Sequence, residues 1–155
     1  MKKISIVCLL FAGVLMANAN TLSAKNLLGT TSLEVKCQHE ISSEKLVLNK
    51  GAKWKVDRAT NHNVNNLRQI VKRFYNNSDR SLKAYKMTGL DLGNGLTKMI
   101  NECKMQGPDH LALHKWLEPL MVQVDKLKHA ETSAAAAASL KSIDFQLGNY
   151  NHFFA

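Results

Sequence analysis

The sequence predicts an all-α protein: an antiparallel, up-down-up-down four-helix bundle preceded by an irregular N-terminal extension. Two observations carry this reading. From Trp54 onward, apolar residues recur at spacings of three and four, the period of one helix face. That period breaks only briefly, at Asn76-Asn77, at Gly107-Pro108-Asp109 and before Thr132-Ser133, and short links of this kind join antiparallel neighbours.

In chain order, Lys2 and Lys3 open a positive start. Ile4 to Met16 follow as an apolar run, and Ala17-Asn18-Ala19 offers the small residues that signal peptidase accepts. The run falls short of the roughly 20 residues that span a bilayer, so residues 1–19 read as a cleaved signal peptide and the product as periplasmic or secreted. Residues 20–52 show no sustained period. Ser32-Leu33-Glu34-Val35-Lys36 alternates like a short strand, and Lys45-Leu46-Val47-Leu48 ends at the turn signal Asn49-Lys50-Gly51.

The bundle is expected over 53–155, with helices at 57–77, 78–104, 108–130 and 133–153. The first carries the stripe Val64, Leu67, Ile70, Val71 and Phe74, with Asp57 or Thr60 able to cap it. The second is expected to begin at Ser78, and its stripe is Leu82, Tyr85, Leu92, Leu96, Met99 and Cys103. Gly89, Gly93 and Gly95 lie inside it and predict a kink or a close helix approach. In the third, Leu113, Leu117, Leu120, Val124 and Leu127 alternate spacings of four and three, the pattern of a bundle seam, interrupted by Pro119. The last opens with five alanines behind a Thr132-Ser133 cap and continues through Leu140, Ile143, Leu147, Tyr150 and Phe154.

The chain carries 21 Lys and Arg against 12 Asp and Glu, a net charge of +9, and two of those lysines belong to the leader. The bases are scattered, and no aromatic residues alternate with them as a single-strand-binding groove requires, so nucleic acid is not an expected partner. Beyond the leader no segment reads as membrane-spanning. Outside the leader two cysteines remain, Cys37 and Cys103, and an oxidising compartment permits a disulfide between them.

Once the helices are placed, the alanine-rich last helix and its aromatic end, Asn149 to Phe154, look like the soluble periplasmic b-type cytochromes and cytochrome c-prime. More specifically, Trp54-Lys55-Val56-Asp57, Cys103-Lys104-Met105 and Leu113-His114-Lys115-Trp116-Leu117 resemble a family of uncharacterised bacterial periplasmic bundle proteins, a likeness that covers about residues 53–155. The resemblance implies the fold much more than an activity. The b-type cytochromes hold haem through a methionine near the start of the first helix and a histidine near the end of the fourth. Here the first region reads Asn61-His62-Asn63-Val64, His152 lies at the chain's end, and Cys-x-x-Cys-His is absent. This departure argues against haem.

The candidate chemistry centres on Cys103, His110 and His114. Two histidines four apart share a helix face, and a turn at Gly107-Pro108 could fold the thiol back towards them, a ligand set suited to zinc or copper. The alternatives are that all three residues serve packing and capping, or that Cys103 is committed to Cys37. Trp116 reads either as a seam-edge packing residue or, with Glu118, as a partner-binding surface anchor. No Gly-x-Ser-x-Gly, phosphate-binding glycine loop or His-Glu-x-x-His occurs, and Asp91 and Glu102 are too far apart for paired acid–base work, so no enzyme is expected. The expected function is an exported binding or interaction protein, with a transition metal or an unidentified protein as partner. The alternatives are a haem-binding electron carrier and a structural or stress-related interaction module.

Overall fold

A computed structural model describes residues 45–155. The expected leader, the alternating stretch at Ser32–Lys36, and Cys37 lie outside the described residues. Within them the fold is an all-α, antiparallel four-helix bundle. Helix α1 spans Arg58–Asn76, α2 Leu82–Glu102, α3 Gly107–His129 and α4 Ser133–Gly148, and a single turn, α5, follows at Tyr150–Phe153. Each of the four packs on its chain neighbours, and α4 returns against α1 to close the bundle.

The helix ends follow from local hydrogen bonding. Asp57 caps α1, its carboxylate accepting from the Thr60 amide at 2.6 Å. The second helix begins at Leu82 with Ser81 as its cap, four residues later than the expected Ser78. The intervening link is claimed by side chains. Asn77 accepts from the Asp79 amide at 3.0 Å and Asp79 from the Ser81 amide at 2.8 Å, while Arg80 donates to the carbonyls of Phe74 and Tyr75 at the end of α1. These bonds satisfy carbonyls that a helix terminus leaves without partners, and they favour a link over an earlier helix start. The final helix also differs from the expected 133–153, because it ends at Gly148. Arg68 of α1 donates to the Leu147 carbonyl at 2.8 and 3.2 Å, replacing the helical bond lost there.

The predicted stripes are the core. Val64, Leu67, Val71 and Phe74 of α1 meet Tyr85, Leu92, Leu96 and Met99 of α2. The four seam leucines and the valine of α3, and Leu140, Ile143, Leu147, Tyr150 and Phe154, are likewise buried. Ile70, Leu82 and Cys103 sit half-buried at its edge. Close helix approach explains two of the α2 glycines. A Cβ on Gly89 would lie 3.0 Å from the Lys128 amide nitrogen of α3, and one on Gly95 would lie 2.7 Å from Leu67 Cδ2 of α1.

Ahead of α1, Asn49 and Ala52 exchange two backbone hydrogen bonds of 2.8 and 2.9 Å around Lys50 and Gly51, both at positive φ. Two central residues at positive φ make the tight hairpin turn for which glycine is suited. Trp54 then donates its indole N–H to the Val47 carbonyl at 2.7 Å. The main chain of residues 54–56 lies alongside the C-terminus: the Trp54 amide donates to Phe153 at 2.8 Å, Ala155 to Trp54 at 3.0 Å and Val56 to Ala155 at 3.3 Å.

Among the described residues every buried side-chain nitrogen and oxygen has a hydrogen-bond partner. Asn63 donates to Glu102 at 2.7 Å, and the buried Tyr150 hydroxyl donates to Asn61 at 2.9 Å. Burial pushes the Tyr150 hydroxyl well above its ordinary range, opposed by the Arg68 guanidinium, so it stays a neutral donor. Asp57 does double duty, because its second oxygen accepts from the Lys104 amide at 3.1 Å and so ties α1 to the α2–α3 turn. Partial burial alone would raise its carboxyl, but the bonds from Thr60 and Lys104 outweigh it and hold the group below its ordinary value. Asp57→Ala is expected to cost about 1–2 kcal/mol at neutral pH. A carboxyl depressed in the folded state adds stability above its unfolded-state value and loses it as pH falls through the folded one. Denaturant midpoints of wild type and variant should therefore converge on acidification below about pH 4. A gap that stays constant down to pH 2 would refute the role.

Candidate functional site

The corner between α2 and α3 holds the three candidate ligands. His110 and His114, one turn apart on α3, bring their Nε2 atoms to 3.0 Å, with ring centroids 4.6 Å apart. His114 is exposed and His110 half-buried. Cys103 is the C-cap of α2 and packs against the core cluster. Its placement follows from Asp57, which captures the next residue's amide and draws the turn towards α1. The expected three-ligand centre therefore does not assemble. Among the described residues, no three His, Cys, Asp or Glu side chains converge as a metal centre would require. The competing Cys37–Cys103 pairing lies outside the described residues.

Of the two readings of Trp116, the structure matches packing, deeper than the seam edge, and not the surface anchor. It is 1% exposed, and its ring packs edge-on against Tyr150 and Phe154, at centroid distances of 5.0 and 6.2 Å. Its indole N–H donates to the Gln146 carbonyl at 3.3 Å, while the Gln146 amide donates back to the Trp116 carbonyl at 2.8 Å. Position 116 is in helical phase with Leu113 and Leu120, which places it on the inward face.

A surface feature that the stripe analysis passes over lies between α2 and α3. There a groove of about 550 Å³ runs over the buried side chains of Leu96 and Val124. Its walls expose Ile100, Met121 and Val122 at 47%, 42% and 51%. Leu90, 49% exposed, extends the α2 wall, since positions 90, 93, 97 and 100 share one helix face. Lys126 and Lys128 flank the groove, with Asp125 paired to Lys128 at 3.3 Å. The sequence signal was available: Met121 and Val122 directly follow Leu120 but fall outside the seam's phase, and Ile100 stands beside the inward Met99. Apolar residues outside the core stripe have no partner within the bundle.

No described helix is long and apolar enough to cross a membrane. Compared with protein-family models, curated proteins and solved structures, the chain matches none.

Proposed function

We propose that this protein is an exported, non-enzymatic binding module whose α2–α3 face docks an amphipathic helix of a partner protein. The observation that carries the reading is the groove between Ile100 and Met121-Val122, an apolar strip open to solvent over the core residues Leu96 and Val124. Contiguous apolar surface rimmed by polar groups marks interaction sites, and helix-in-groove recognition reads such a strip through residues at i, i+3, i+4 and i+7. Charge selects the partner. Lys126 borders the strip beside the Lys128–Asp125 pair. Without the two leader lysines the chain's net charge of +9 falls only to +7, so a helix flanked by Asp and Glu is favoured and a second copy of this basic chain is disfavoured. The leader, Lys2 to Ala19, supports export.

Fluorescence anisotropy with two synthetic helices tests the reading. Both carry the same apolar stripe, one flanked by glutamates and the other by lysines. The acidic peptide should bind at least tenfold more tightly, and Ile100→Asp/Val122→Asp should abolish that preference. Both substituted residues are exposed, so the fold should survive, which circular dichroism checks. Phe145→Asp, at a 71%-exposed position on α4, should leave binding unchanged. Equal affinity for the two peptides, or self-association through Ile100 and Val122, would overturn the proposal.

A further inference from the structure

The geometry points to a second, independent binding site: His110 and His114 form a two-histidine chelate for a tetragonal divalent ion, Cu(II) above all, without Cys103. The inference does not rest on the docking groove. Residues four apart on a helix face the same way, so the rigid backbone holds both rings over one spot before any ion arrives. Their Nε2 atoms stand 3.0 Å apart. With metal–nitrogen bonds of about 2.0–2.1 Å, that separation subtends about 95° at a shared ion. That 3.0 Å is a hydrogen-bond contact, and small rotations of either ring carry it across the roughly 2.8–3.4 Å that cis or tetrahedral coordination needs, so affinity and not spacing selects the ion. Copper(II) leads the divalent series in affinity for nitrogen ligands.

The surroundings fit a chelate with open positions. His114 is exposed, so water can complete the sphere. In the ion-free state one Nε2–H donates to the other Nε2; for both Nε2 lone pairs to face an ion, the donor ring carries its proton on Nδ1 instead, a tautomer change with no change in oxidation state. The positive end of the α3 dipole opposes a cation near His110, while the carboxylate of Asp109, in the same turn, offsets it.

Titration of the purified chain with Cu(II) chloride, followed by calorimetry and electron paramagnetic resonance, tests the site. One equivalent should bind with splitting from two imidazole nitrogens, and at least tenfold more tightly than zinc. His110→Ala and His114→Ala should each weaken copper binding at least tenfold, whereas Cys103→Ser and His62→Ala should leave it within twofold. All four changes spare the fully buried core. Unaltered copper affinity in the His110→Ala/His114→Ala double variant, zinc binding as tight as copper, or loss of the site in Cys103→Ser would each overturn the inference.

Discussion

Trp116→Ala is expected to destabilise the protein by about 3–5 kcal/mol, a large share of the 5–15 kcal/mol that holds a typical domain together. The side chain is 1% exposed and belongs to an aromatic cluster with Tyr150 and Phe154, so its removal leaves a cavity at the junction of α3, α4 and α5. It also forfeits the indole bond to the Gln146 carbonyl, leaving that acceptor without its partner. Urea unfolding should show a lower midpoint with an unchanged slope, the mark of lost stability without a change in compactness. A loss below about 1 kcal/mol would contradict the burial described above.

The second large effect is expected at Phe154, another member of that cluster. Phe154 lies one residue from the end of the described chain, where backbones ordinarily fray. Here it is 2% exposed, stacks on Tyr150 at 4.9 Å, and is flanked by main-chain bonds from residues 54–56 to Phe153 and Ala155. Phe154→Ala should therefore cost about 3–5 kcal/mol, as for an interior phenylalanine. Hydrogen exchange supplies the check. In wild type the amides of Trp54 and Ala155 should be protected well beyond those of a frayed terminus, and in the variant both should exchange quickly. A terminus that exchanges freely in wild type would remove the basis for the effect.

The α3 seam was legible because the spacing of Leu113, Leu117, Leu120, Val124 and Leu127 states its inward face directly. The end of the last helix was not, because it depends on Arg68, a residue of α1 far away in sequence that takes over the Leu147 carbonyl. The start of α2 was misread for a related reason: Ser78 is as good a cap by type as Ser81, and only Asp79 and Arg80, bonded across the link, decide between them. At the candidate site the i, i+4 pairing of His110 and His114 follows from the helix itself. The place of Cys103 depends on how the turn folds over Asp57, which no local pattern encodes. For Trp116 the packing reading was legible, and its phase with Leu113 and Leu120 decides it against the surface one. The α2–α3 groove was written in the same residues, as apolar side chains left over once the seam had been counted.

The pairing of residues 54–56 with the C-terminus bears on when this chain can fold. Trp54 and Phe154 are 100 positions apart, yet they form a bridge, and Phe154 fills part of the interior. A chain synthesised N-terminus first cannot complete that interior until residues 150–154 have emerged. Helices α1 to α3 can pair earlier, but the aromatic cluster around Trp116 stays open until Tyr150 and Phe154 arrive, so the interior closes last around them.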